Sequence, residues 1–331
     1  MEYIMDTEHS PLSGINTSFE DYLRRKKAEQ SIHMHGTVPD YAFAMDYELR
    51  RKLDNIPHFY SLARKISSTL TTRYMQIYNQ KSLLVGPSQF PEIYQMGVDC
   101  AHTLGIPVPN IYVYSSTEMN AFTVASADTS PLIVLHTGII DRMTPGELKC
   151  VIAHECGHIH NQHLVYKLVI NEILSTASGI AGGVAVTLAN VALMTLWTRA
   201  SEISADRAAL ICANSVEDAI NVDYKLLSGG TINTLLNSSM DLNTLHSQLE
   251  EALNNPTRFE EAFVMSPLLM NKVVLADHPS AMRRIFADLA FEECDLFYSW
   301  RPDLKKPGMH LRSKQETDAR CQKLINIWNN K

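Results

Sequence analysis

The sequence predicts an α+β fold, mostly helical, with a small, largely antiparallel sheet beside one central helix. Three features carry that expectation. Short β-like runs cluster at 110–114, 119–125 and 132–136, separated by turns rich in Ser, Thr and Asp. Helical periodicity flanks them on both sides almost to the C-terminus, so a few strands lie within a run of helices. The third feature is the helix after the strands. Thr144-Pro145-Gly146-Glu147 supplies an N-cap threonine, a proline where its missing N–H costs nothing, and a glutamate that can close a capping box.

Taken in order, residues 1 to about 30 form a polar lead-in, and Leu49, Leu53, Leu62 and Ile66 then mark helices reaching the Lys81 region. Gly86-Pro87-Ser88 is a break. A helix is expected over 91–104, after which Pro107 and Pro109 force an extended entry into the strands. In the helix that starts at Thr144, Leu148, Ile152, Cys156 and Ile159 share one apolar face. The expected division is an N-terminal lead-in and helical segment at 1–84, a catalytic-type domain at 85–290 and an extension at 291–331.

Composition narrows the function. With 331 residues and 45% hydrophobic content, the chain can build a substantial core. Its 36 acidic residues exceed 29 basic ones, for a formal charge of −7 with no long block of either sign, which argues against nucleic acid as a partner. Six cysteines occur with no C-x-x-C pair, as expected of buried free thiols in a reducing compartment. Glu2, Asp6, Glu8, Glu20 and Asp21 interrupt the apolar run that a secretion signal needs, so a cytoplasmic location without a signal peptide is the expectation.

The informative motif is His154-Glu155-Cys156-Gly157-His158, an H-E-x-x-H pattern inside a helix assigned without it. Four residues advance about 400° around a helix axis, so both imidazoles project the same way, roughly 6 Å apart along it. They can therefore ligate one ion. Glu155, displaced by about 100°, can reach a water at that ion instead. Catalytic zinc needs a third protein ligand, and Glu202 in Arg199-Ala200-Ser201-Glu202-Ile203-Ser204-Ala205-Asp206 can supply it. Asp206, one helical turn on, can orient a ligand imidazole through its free ring N–H. One Zn2+ per chain is the cofactor this predicts. On helical stepping, His160 and His163 turn away from His158 and are expected on the surface or in a second layer.

H-E-x-x-H followed by R-x-x-E-x-x-x-D resembles the HtpX and CAAX prenyl protease branch of the gluzincin metallopeptidases. Asn120-Ala121-Phe122 is similar to the family's N-A-F strand, and Leu135-His136-Thr137-Gly138-Ile139-Ile140 to the segment before its active-site helix. His278-Pro279-Ser280 with Arg284-Ile285 resembles its downstream H-P-x-x-x-x-R-I motif. The resemblance implies a zincin-like fold and zinc-dependent endopeptidase activity on peptides or unfolded proteins. It also implies that Asn120 and His278 contact the substrate backbone or the oxyanion. An inactive relative, holding zinc as an interaction module, is the alternative; Glu155 argues against it, because a structural site needs no base.

Several members of that branch are integral membrane proteins, and residues 173–197 form a 25-residue stretch without a charge. His158 and Glu202 must nevertheless reach the same ion, so the chain between them has to return to the side it left. Its length is too short for two spans of about 20 residues with connections. A buried hairpin broken near Gly182-Gly183, or a peripheral membrane contact through 173–197, is therefore expected.

Overall fold

Among the described residues helices come first and last, and the strands lie between them. A computed structural model describes residues 19–28, 33–35, 38–126, 129–175, 180–181, 184–185, 188–230, 241–254 and 281–325. Helix α1 (Phe19–Ala28) forms within the stretch expected as a polar lead-in, and an antiparallel pair, β1 (Met34–His35) with β2 (Val38–Pro39), follows. Leu49 and Leu53 are buried on α2 (Ala44–Asp54), which leads to the long α3 (Phe59–Lys81). The short strand β3 (Ser82–Leu84) was not expected. Helix α4 (Pro91–Leu104) starts on its proline and ends on Gly105 at φ 66°, a left-handed cap that glycine adopts without strain.

Strands β4 (Asn110–Tyr114), β5 (Ala121–Ser126) and β6 (Thr129–His136) come next. After them run α5 (Thr137–Ile140), α6 (Pro145–His160), α7 (Leu164–Ser175), the paired β7 (Ile180–Ala181) and β8 (Val184–Ala185), α8 (Leu188–Cys212) and α9 (Val216–Ser228). Helices Leu242–Asn254, Ala281–Glu292, Asp295–Trp300 and Lys314–Ile325 complete the described chain.

The four-stranded sheet is mixed, which corrects the expectation of a largely antiparallel one. Its order is β3-β4-β6-β5, with β4 parallel to β6 and the other two pairings antiparallel. Consecutive strands would have made a meander. Instead β6, whose Leu132, Ile133, Val134 and Leu135 are all buried, enters between β4 and β5, where both faces and both edges are covered. Strand periodicity then divides the side chains. Ile111, Val113, Ala121, Ile133 and Leu135 join the core shared with α6, while Tyr112, Val124, Leu132 and Val134 pack with Tyr74 and Tyr78 of α3.

Helix α6 sits against the first of these faces. Both halves of its capping box form: Glu147 N donates to Thr144 Oγ1 at 3.3 Å and Thr144 N donates to Glu147 Oε2 at 2.7 Å. Its expected amphipathic character is replaced by burial all round, since every residue from 150 to 160 is buried. The cause is that α4, α8, α9 and β5 pack on it from different sides. Contact with α8 is closest at Gly157, where a Cβ would lie 2.7 Å from Ala208 Cβ and 3.0 Å from the Ala205 backbone. Only a residue without a side chain allows the two backbones to approach so far.

The uncharged stretch at 173–197 is not one helix. It contains the end of α7, the β7–β8 pair and the start of α8, an arrangement that turns the chain back as the hairpin argument required. Gly182 and Gly183 lie outside the described residues, and among the described residues no helix is long and apolar enough to cross a membrane. All six cysteines are free and buried, as expected.

Gly157→Ala separates two opposing effects. Helix propensity alone would favour the alanine by about 1 kcal/mol, whereas forcing a methyl into a packed helix crossing costs about 1–3 kcal/mol. The overpacking should win, so thermal denaturation is expected to show a lower Tm for Gly157→Ala; a raised Tm would contradict the close crossing.

Candidate active site

The α6–α8 crossing brings His154, His158 and Glu202 together. One ligand atom from each lies within 4.8 Å of the other two, and all three residues are buried. His154 Nε2 is 3.4 Å from Glu202 Oε2, and His158 Nε2 is 3.4 Å from Glu202 Oε1. Each imidazole thus faces one oxygen of the same carboxylate. Two imidazole nitrogens and one carboxylate oxygen are a donor set suited to zinc, and their spacing lets one ion be shared among them. Lys167 of α7 places its ammonium against Glu202 Oε1 and 3.0 Å from His158 Nε2.

The outer nitrogens of the two rings are also engaged. His154 Nδ1 is 2.8 Å from Asp206 Oδ1, one turn beyond Glu202 on α8. Arg284, from the Ala281–Glu292 helix, grips that same carboxylate, its Nε donating to Asp206 Oδ2 at 2.7 Å, and reaches Asp223 of α9 at 3.2 Å. Burial pushes the His154 imidazole down, but its bonds to Asp206 and Glu202 outweigh this and hold it up at about 9. His158 moves the opposite way: burial and the Lys167 ammonium carry it well below the ordinary histidine range. Burial tends to raise Asp206, yet Arg284 and His154 hold its carboxyl below the usual range. At Asp288 burial with the nearby Asp206 and Asp223 charges outweighs the pull of Arg284 and Arg207 and drives the carboxyl far up.

Glu155 projects from α6 toward the sheet, where the Thr123 hydroxyl of β5 donates to its Oε2. Thr123 lies two residues from Ala121, on the face that strand periodicity directs at α6. Glu155 lines a pocket with His154, Asn120, Met119, Val151 and Arg284. Asn120 immediately precedes β5, and its carbonyl accepts from His136 N at 3.1 Å. His278 lies outside the described residues.

Of the two histidines expected on the surface or in a second layer, neither is at the surface, and His163 stands directly behind a candidate ligand. His160 and His163 are both buried, and His163 Nδ1 lies 2.7 Å from His158 Nδ1. The stepping fails because α6 stops at His160: Asn161 caps it by donating to Gly157 O at 2.9 Å, and Gln162 turns the chain at φ 60°. The left-handed residue swings His163 back beneath the helix. Lys167, Thr123 and Asp223 carried no sequence signal, and Arg284 was visible only as part of the R-I motif.

An H-E-x-x-H helix sharing a ligand cluster with a downstream glutamate helix defines a metallopeptidase-type domain. The model of Peptidase family M48 matches residues 87–289, and the chain belongs to that family. It is 32% identical over 195 residues to the plastoglobule-localized metallopeptidase 48, chloroplastic, of Arabidopsis thaliana, covering 57% of this chain and 56% of that protein. Protease HtpX of Haemophilus ducreyi is 38% identical over 72 residues, 22% of this chain and 25% of its own. The chain thus spans about half the length of the first relative and a quarter of the second. The crystal structure of S. mikatae Ste24p aligns with 73% of this chain and 60% of that one, at 17% identity and a TM-score of 0.36. The HtpX resemblance read from the motifs is the one these relatives show.

Arg284→Met keeps much of the side-chain volume but strips Asp206 and Asp223 of their shared cation. Removing one partner of a buried ion pair costs about 3–5 kcal/mol, so the midpoint of urea denaturation is expected to fall accordingly. An unfolding free energy within about 1 kcal/mol of the unaltered chain's, the range of an exposed ion pair, would contradict the buried network.

Proposed function

We propose that this chain is a zinc-dependent metalloendopeptidase acting on peptides or unfolded protein chains. One observation carries the reading: three ligand atoms from α6 and α8 converge within 4.8 Å, beside a pocket lined by Glu155. On this reading His154, His158 and Glu202 hold the ion, and Asp206 fixes the His154 ring through its 2.8 Å contact with Nδ1. When bound, zinc supplies Lewis acidity that polarises the scissile carbonyl and makes water acidic enough to deprotonate near neutral pH.

The remaining chemistry belongs to side chains. Glu155 takes a proton from the attacking water and delivers it to the departing amine, so no covalent intermediate on the protein is needed. The Thr123 hydroxyl donates to Glu155 Oε2 and so fixes the carboxylate that accepts that proton. Asn120, and His278 with it, supply hydrogen bonds to the substrate backbone or oxyanion. Strand β5 is the end strand in the order β3-β4-β6-β5, so an extended peptide laid beside it adds a strand and runs past the ligands. Such a substrate needs neither terminus near the site, which supports internal cleavage.

Two variants test this reading. Glu155→Gln preserves size and removes the base, so kcat/KM on a peptide library should fall by at least about 10²–10⁴-fold, with zinc content by metal analysis unchanged; cleavage at the parent rate would reject the mechanism. His154→Ala should lose stoichiometric zinc after dialysis, and a full complement there would reject the ligand set.

A further inference from the structure

Both candidate ligand histidines carry a partner on the nitrogen that faces away from the cluster, but the partners differ. For His154 it is the Asp206 carboxylate directly. For His158 it is the His163 ring, whose Nδ1 lies 2.7 Å from His158 Nδ1. Behind that ring stands Asp46, its Oδ2 2.8 Å from His163 Nε2. Asp46 belongs to the first turn of α2, outside the residues 87–289 that the family model matches. Asp46 is 3% exposed, His163 0% and His158 1%, so the three-member chain is closed to water. The Trp197 ring packs edge-on against His163 at 5.7 Å and helps to seal it.

Two facing Nδ1 atoms can bond only when one carries a hydrogen and the other does not. Lys167 settles which. Its ammonium is a donor only and lies 3.0 Å from His158 Nε2, so that nitrogen is the acceptor and the His158 proton resides on Nδ1. His163 Nδ1 must then accept, which leaves the His163 proton on Nε2, facing Asp46. A carboxylate accepts and never donates when ionised, and therefore holds His163 in that one tautomer. Without it, His163 can put its proton on Nδ1, toward His158. The His158 proton would then have to move to Nε2, the nitrogen that faces Glu202.

We propose that Asp46 is a positioning residue for the metal site, acting through His163 to keep His158 Nε2 open as a ligand. The proposal rests on the zinc reading given above. It makes the N-terminal α2 part of the metal centre: the segment carries no ligand, yet the ligand tautomer depends on its docking. Ser204 marks the competing, purely structural role, because its hydroxyl donates to the same Asp46 Oδ2 at 2.6 Å and accepts from Phe43 N at 3.1 Å, pinning α2 to α8.

The test measures the zinc dissociation constant of the full chain by competition with a chromophoric chelator, in variants whose folding is checked by circular dichroism. Asp46→Asn should weaken zinc binding by about 10–100-fold, the usual scale for a residue that orients a ligand. Ser204→Ala should stay within about threefold of the parent, well below that scale. In a His163→Phe background, Asp46→Asn should add no further loss, because the route to His158 is already cut. Parent affinity in Asp46→Asn, an equal loss in Ser204→Ala, or a full additional loss in the His163→Phe background would each overturn the proposal. Should the variants fail to fold, ¹⁵N NMR of histidine rings in the unaltered, zinc-loaded chain decides it. Protons on His158 Nδ1 and His163 Nε2 are expected, and the reverse tautomer at His163 overturns it. An unaltered chain that binds no zinc would instead sink the zinc reading, which keeps the two failures distinct.

Discussion

The crossing of α6 and α8 is the constraint on which the site depends. Its closeness comes from Gly157, the second variable position of H-E-x-x-H, where the backbone of α6 meets Ala205 and Ala208 of α8 with no room for a Cβ. The same turns carry the chemistry. Gly157 directly precedes His158, and Ala205 lies between Glu202 and Ala208. Packing and ligation are thus set by one stretch of each helix, so a change in helix separation moves the imidazoles relative to the Glu202 carboxylate. Helices held this closely shift little, because a packed interface has few alternative arrangements.

Around the crossing, long-range polar ties join parts of the chain far apart in sequence. Arg284 binds Asp206 and Asp223, connecting the Ala281–Glu292 helix to α8 and α9. Arg207, on the next residue of α8, donates to the Tyr41 carbonyl at 3.0 Å and pairs with Asp318 at 2.6 Å, while its guanidinium lies over Phe43 and Phe291. Burial would lower Arg207, but the Asp318 charge and its hydrogen bond more than offset it and hold the guanidinium above its ordinary range. Segments on both sides of the family match are therefore fastened to the helix that bears Glu202. A buried arginine with a carboxylate and a carbonyl in its fork specifies one arrangement, since any slip strands charges in the core.

What the sequence made legible was local, and what it hid was long-range. The caps of α6, the extent of α4 and the three strands at 110–136 follow from contacts within a few residues, and they stand close to where periodicity and proline chemistry put them. Sheet order did not follow, because it depends on which strand is most completely apolar, and β6 took the centre that a meander would have left to β5. Helical stepping places His154 and His158 on one face but says nothing beyond the end of α6, so it left His163 open between the surface and a second layer, and the turn at Gln162 puts it in the second layer. Asp46 carried no signal, and Arg284 was visible as a motif residue whose contacts were hidden, for a different reason. They lie 117 and 78 residues from the partners they serve, and no local pattern encodes a contact at that separation.

The buried charges also explain why such a site tolerates its own composition. Glu155, Glu202, Asp206 and Asp223 are all buried within reach of the crossing, and Arg284, the partly exposed Lys167 and the His154 imidazole, held up at about 9, face them. Acidic groups are thus crowded into a region where solvation is poor, and an uncompensated buried charge there is costly. At Asp288, burial and the neighbouring Asp206 and Asp223 charges push the carboxyl well above the usual range, which favours its neutral form. Glu202 faces two imidazoles and an ammonium. A divalent cation shared by those imidazoles would add positive charge among these carboxylates with a single ion. The electrostatic need and the ligand geometry thus arise from the same residues, and weakening either should weaken the other.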